Sequence, residues 1–169
     1  MKIDNMEELF LAEIEDLYDC EKRLTKALPK MAKASTSPEL RQAFESHLRE
    51  TQGHAERLER VFSEMGKSPK AETCEAIKGL IEEGEQMISN TDQSPLRDAG
   101  VIAAANRVEH YEIAAYGSAR TFAQTLGLSS AVSLLEQTLE EEKKADKKLT
   151  ELAETMINME ALRTPVQQR

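Results

Sequence analysis

The chain has 169 residues, with 22 lysines and arginines against 31 aspartates and glutamates, for a net charge of -9. That length favours one domain with room for a sizeable core, and the acidic balance argues against direct binding to nucleic acid or to an anionic membrane. Aromatics make up 4%, tryptophan is absent and Gly and Pro are few, a composition of long helices rather than sheets.

The first long helix is predicted from about Met6 to Lys33. Asp4 and Glu7 form a capping box at its start, and Pro29 bends or shortens its last turns. The second runs from about Pro38 to Met65, with Ser37 as N-cap, Pro38 at the first helical position and Gly66 as the stop. Residues 67–94 are too many for a tight turn. Within them Ser68-Pro69 starts a short amphipathic helix that uses Ile77, Leu80, Ile81 and Ile88. The third long helix runs from about Pro95 to Leu126, between the Ser94-Pro95 start signal and Gly127. The fourth runs from about Ala131 to Met159, after Ser129 and Ser130. The fold class is all-α: a ferritin-like antiparallel four-helix bundle, with a long crossover between the second and third helices carrying a short extra helix. Residues 1–162 form this single domain, and 163–169, with Pro165, form a flexible tail.

Cys20 and Cys74 make no CxxC pair and read as reduced thiols of a cytosolic protein. The start Met1-Lys2-Ile3-Asp4-Asn5 lacks an apolar signal core, and no apolar run is long enough to cross a bilayer. A soluble, cytoplasmic protein without nucleic-acid or membrane partners is the expectation.

Helix seams repeat at spacings of three and four. The first helix gives Phe10, Ile14, Leu17, Glu21, Leu24, Leu28, Met31. The third gives Ile102, Ala105, Glu109, Glu112, Tyr116, Ala119, Ala123, Leu126. The fourth gives Val132, Leu135, Leu139, Glu142, Asp146, Leu149, Ala153, Met156. The second combines Leu40, Ala43, Phe44, His47, Glu50, His54, Leu58 and Val61. Every stripe is broken by a carboxylate near its middle. Burying an ion costs several kcal/mol, and clustered carboxylates repel until some take up protons. No lysine or arginine lies on the seams of the first, third or fourth helix. Two divalent cations would supply the missing positive charge, and carboxylates with imidazole suit iron, manganese or zinc. The candidate metal ligands are therefore Glu21, Glu50, His54, Glu109, Glu112, Glu142 and Asp146. Polar seam residues can also simply fix helix register. His47 reads as a satisfied core histidine or a near-surface one, Tyr18 and Tyr116 as structural, and His110 as solvated. In the run 140–144 only Glu142 turns inward.

The phrases Asp19-Cys20-Glu21-Lys22-Arg23-Leu24, His47-Leu48-Arg49-Glu50-Thr51, Val108-Glu109-His110-Tyr111-Glu112-Ile113-Ala114-Ala115-Tyr116 and Leu139-Glu140-Glu141-Glu142-Lys143 resemble the YciF/YciE family, on its YciF side and over nearly the whole chain. The resemblance implies a bacterial stress-response protein with a rubrerythrin-like fold, seen as a homodimer. In the wider rubrerythrin and ferritin-like pattern Glu21, Glu50, Glu109 with Glu112, and Glu142 stand at ligand positions. Gly53 and Ala145 stand where that pattern carries histidines, and His54 and Asp146 follow one residue later. The four-cysteine rubredoxin module is missing. The first functional expectation is a di-iron oxidoreductase acting on peroxide or oxygen, with manganese or zinc as alternative metals. There Glu21 and Glu142 are terminal ligands, Glu50 and Glu109 bridge, Glu112 moves with redox state and His54 completes one coordination sphere. The alternatives are a non-enzymatic dimeric stress or scaffold protein with a structural or vestigial site, and iron storage in a cage.

Overall fold

The structure is a computed structural model that describes residues 3–163. Its helices are α1 (Met6–Ala34), α2 (Pro38–Glu64), α3 (Glu75–Ser89), α4 (Pro95–Thr125), α5 (Ser129–Leu152), a π-helical turn (Ala153–Ile157) and α6 (Asn158–Leu162). Apart from Arg163, the predicted flexible tail lies outside the described residues.

Both serine-proline signals start helices as read. Ser37 Oγ accepts the Leu40 N–H at 3.2 Å, and Ser94 Oγ accepts that of Arg97 at 3.4 Å. Gly66 and Gly127 close α2 and α4 at φ of 65° and 74°. There Lys67 N–H reaches back to Phe62 O at 2.9 Å, and Leu128 N–H to Ala123 O at 3.0 Å. These bonds satisfy carbonyls that the helix end leaves open, and the left-handed backbone suits glycine.

Five boundaries differ from expectation. The first cap lies one residue later: Asn5 Oδ1 accepts the Glu8 N–H at 2.9 Å, and Glu8 Oε2 accepts the Asp4 N–H at 2.7 Å. Glu8, not Glu7, occupies the third helical position from which a side chain reaches back. Helix α1 also continues through Pro29 to Ala34, so the proline forfeits one backbone bond without ending the helix. Helix α3 begins at Glu75 rather than at Ser68-Pro69, because the preceding segment is tied to α1. Glu72 N–H donates to Glu15 O at 3.3 Å and Cys74 N–H to Asp19 Oδ2 at 2.9 Å. Helix α5 starts at Ser129 with no side-chain cap. Its end widens into the π-turn, which moves the inward position from Met156 to Ile157. Leu152 and Ile157, five residues apart, are both buried.

The short links at residues 35–37 and 126–128 make α1 with α2, and α4 with α5, antiparallel neighbours. Asp98 of α4 fastens the first link, accepting the N–H groups of Thr36 and Ser37 at 2.8 and 2.7 Å. Helix α2 also packs on α5 and α1 on α4, while α3 lies over α4 and α1. The core divides into two apolar clusters. One gathers Phe10, Ile14 and Leu17 with Leu58, Phe62, Ala119 and Leu135. The other gathers Leu24, Leu28, Leu40, Phe44, Ile102, Leu149 and Ile157. Each large side chain so buried contributes about 1.5–3 kcal/mol. The carboxylates and histidines occupy the layer between.

Candidate metal centre

Six buried side chains meet in that layer: Glu21 of α1, His47 and His54 of α2, Glu109 and Glu112 of α4, and Glu142 of α5. Helical geometry brings each there. His47 and His54 are two turns apart on one face, and Glu109 and Glu112 are one turn apart. His47, Glu109, Glu112 and Glu142 each place a ligand atom within 4.8 Å of the others, and so do Glu21, His54 and Glu142. Glu142 belongs to both groups.

Both histidines are held from outside. His54 Nε2 lies 2.9 Å from Glu141 Oε2. Glu141 is gripped in turn by Arg57, with Nη1–Oε2 at 2.6 Å and Nη2–Oε1 at 2.9 Å. His47 Nδ1 lies 3.3 Å from Glu50 Oε2. Inward, His54 Nδ1 stands 2.8 Å from Glu142 Oε1. His47 Nε2 stands 3.4 Å from Glu109 and 3.5 Å from Glu142. The Tyr116 hydroxyl donates to Glu21, and the Cys20 thiol to Glu112 at 3.4 Å.

The inward-facing atoms satisfy one another only in part. His54 Nδ1 and Glu142 Oε1 stand at hydrogen-bond distance, while Glu21 Oε2, His47 Nε2, Glu109 Oε2, Glu112 Oε2 and the second oxygen of Glu142 are buried without a hydrogen-bond partner. Buried polar atoms are normally paired, and each orphan costs about 1–3 kcal/mol. Electrostatics tell the same story. Burial drives the Glu112 carboxyl well above its ordinary pKa, and repulsion from Glu142, Glu21 and Glu109 adds to it. Burial likewise raises Glu109 strongly and raises Glu21. Burial would also raise Glu142, but contact with His54 and the charge of His47 hold it below. Burial alone would depress the histidines. Their acidic neighbours overcome it and push His47 up to about 9 and His54 to about 11. The raised histidines are the positive charge of this buried layer, and divalent cations among its carboxylates would take the place of those protons.

The structure thus brings Glu21, His54, Glu109, Glu112 and Glu142 together and leaves two candidates outside. Glu50 has a side chain 45% exposed. It lies on the flank of the α2 stripe, where Thr51 takes the inward position, and it reaches His47 from outside the cluster. Glu142, not Glu50, is common to both groups of candidate ligands. Asp146 turns away, accepting from Asn106 Nδ2 at 2.6 Å and facing His110 at 3.2 Å. Two residues lay outside the candidate ligands. His47 was visible as a seam residue between Phe44 and His54. Glu141, read as part of an outer face, is identifiable only through Arg57, three residues beyond His54. A cleft of about 430 Å³ between α2 and α5, lined by Glu39, Glu50, Lys144 and Lys148, leads down to His47 and Glu109.

Among the described residues no helix is long and apolar enough to cross a membrane. Cys20 and Cys74 are both free and buried.

Comparison with known proteins follows the same outline. The model of the family described as domain of unknown function DUF892 matches residues 5–162. The protein YciF of Escherichia coli K12 is 46% identical over 162 residues, 95% of this chain and 98% of that protein. The crystal structure of this E. coli stress protein aligns with a TM-score of 0.88 at 45% identity, covering 92% of this chain and 99% of that one. YcfI from Rhodopseudomonas palustris, named as a candidate structural protein, aligns at 0.86 and 42% identity over 88% and 95%. A Xanthomonas campestris pv. campestris protein at 21% identity and a TM-score of 0.73, over 91% and 94%, shares the fold.

Proposed function

The chain belongs to the DUF892 family and is a relative of the stress protein YciF, and we propose that it is a ferritin-like stress-response protein whose core holds two divalent ions, iron or manganese, for an oxidoreductase reaction on peroxide or oxygen. The observation that carries this reading is the set of buried donor atoms left without hydrogen-bond partners and lying within metal-ligand reach of one another. The antiparallel pairs α1–α2 and α4–α5, joined by a crossover that carries α3, support the ferritin-like reading over residues 1–162.

In this reading His47, Glu109 and Glu112 hold one ion, Glu21 and His54 hold the other, and Glu142 reaches both. Bound iron or manganese supplies the redox equivalents and the Lewis acidity. The chain supplies placement. Glu141, clamped by Arg57, accepts from His54 Nε2 and so leaves Nδ1 free to ligate. Glu50 does the same for His47 by accepting at Nδ1. Tyr116 and Cys20 fix one oxygen each of Glu21 and Glu112 and leave the second oxygen without a hydrogen-bond partner. The apolar clusters on either side keep bulk water out, and the α2–α5 cleft admits small polar solutes. Metal-loaded protein is expected to consume hydrogen peroxide with an artificial electron donor, and to lose that activity in Glu142→Ala.

The second reading is a non-enzymatic dimeric stress protein in which the metal only ties the helices together. The candidate structural role named for the R. palustris relative favours it. Metal-loaded protein that gains thermal stability yet turns over neither peroxide nor oxygen would decide for this reading.

A further inference from the structure

A second cavity reaches the same residues from the opposite side of α2 and α5. It lies between α1, α3 and α4, with a volume of about 30 Å³. Its wall is aliphatic, from Leu24, Leu28, Ile81, Ile88, Ala105 and Val108. Its inner end is formed by His47 and Glu109, which also close the polar cleft. At its outer rim Lys30 Nζ and Glu85 Oε1 pair at 2.7 Å across α1 and α3. So the metal centre has two approaches of opposite character that converge on one pair of side chains.

Size and polarity limit what the crevice can hold. About 30 Å³ open to a water-sized sphere exceeds the roughly 10–15 Å³ that one small molecule needs, so a diatomic molecule fits. A hydrated cation or a peroxide would lose its hydrogen bonds along an aliphatic wall and gain none. A small apolar molecule loses nothing there and gains dispersion contacts. Polar solutes have the wider route past Glu39, Glu50, Lys144 and Lys148.

We infer that the crevice beneath α3 is a binding pocket for dioxygen, which reaches the His47–Glu109 side of the centre by a route separate from that of peroxide and metal ions. The use made of the gas rests on the metal reading proposed above; the pocket itself does not. Helix α3 is then more than a connector, because it roofs the apolar route.

Two measurements test this. The first is xenon pressurisation of crystals of the metal-free protein, with xenon standing for the apolar gas. Xenon density between α3 and α4 beside Ala105 is expected; none there would overturn the inference, whatever the metal content. The second uses Gly84→Leu. A Cβ at position 84 would face Ala104 Cβ at 3.7 Å, an ordinary contact, so the helix tolerates a side chain that grows into the crevice. In iron-loaded Gly84→Leu, oxidation by dioxygen is expected to slow about tenfold or more, while oxidation by hydrogen peroxide keeps the unmodified rate. Ser46→Phe, which narrows the polar cleft, is expected to reverse that pattern. Equal slowing of both oxidants, or of neither, in Gly84→Leu would overturn the separate route. Failure to bind iron at all would remove the proposed function and leave the xenon result standing.

Discussion

His47 and His54 stand two turns apart on α2 and both face Glu142, yet they are secured in opposite ways. His54 has no exposed surface and leans on Glu141 of another helix, which Arg57 holds with two hydrogen bonds. His47 leans on Glu50 of its own helix, a half-exposed residue at the edge of the α2–α5 cleft. One half of the centre is locked by a partly buried network across helices. The other half opens onto solvent and onto both cavities. Networks that join elements and exclude water are worth more than exposed pairs on one helix. The His54 side therefore reads as the anchor and the His47 side as the face where small molecules arrive.

Breaking what the two halves share has the largest expected effect. Glu142→Ala removes the one carboxylate common to both ligand groups, and metal content should fall from about two ions per chain to near zero. Glu112→Gln separates function from folding. Because burial and the neighbouring carboxylates favour the neutral form of Glu112, the amide imitates it. The unfolding free energy of the metal-free protein should change by less than about 1 kcal/mol, while the metal-induced gain in thermal midpoint is lost. Calorimetry with and without metal checks both.

The comparison of the halves predicts an ordering for their outer partners. Arg57→Ala or Glu141→Gln should weaken metal binding about 10–100-fold, the usual cost of losing an orienting partner. Glu50→Gln should cost less than about tenfold, because water can replace an exposed carboxylate. Competition titrations against a chelator measure all three. An equal or larger loss for Glu50→Gln would reverse the assignment of anchor and open face.

The smallest effect concerns pH. In the metal-free protein the folded pKa values of His47 and His54 lie at about 9 and 11, above the ordinary 6.5. A raised pKa gives stability that is complete below 6.5 and declines as pH rises through the folded values. Glu21, Glu109 and Glu112 are also raised and act in the same direction from lower pH, whereas the lowered Glu142 contributes stability that is present near neutral pH and lost as pH falls into the acid range. The thermal midpoint of metal-free protein should fall between about pH 6.5 and 9. Bound metal replaces the protons, so the loaded protein should show a flatter profile.

The helices were legible because their signals are local: serine-proline starts, glycine stops and stripes of three and four. The errors fall where a distant contact overrides the local pattern. Ser68-Pro69 fails to start α3 because Asp19 and Glu15 hold the next residues extended, and the π-turn shifts the inward register from Met156 to Ile157. The site was legible as a level, since each stripe breaks near the same height. Which residues occupy it depended on rotation about the helix axis. Glu50 and Asp146 lie a fraction of a turn off the inward direction, enough to send one to His47 and the other to Asn106. Glu141 was hidden because its partners, His54 and Arg57, belong to a helix more than 80 residues earlier in the chain.

The most direct test of the central claim is metal content by mass spectrometry, after anaerobic reconstitution with ferrous iron and separately with manganese. The unmodified protein is to be compared with a Glu109→Ala, Glu142→Ala double variant. About two ions per chain in the unmodified protein and almost none in the variant is the predicted result. No bound metal in either protein would contradict it and leave the carboxylates and histidines as a proton-sharing network within the core.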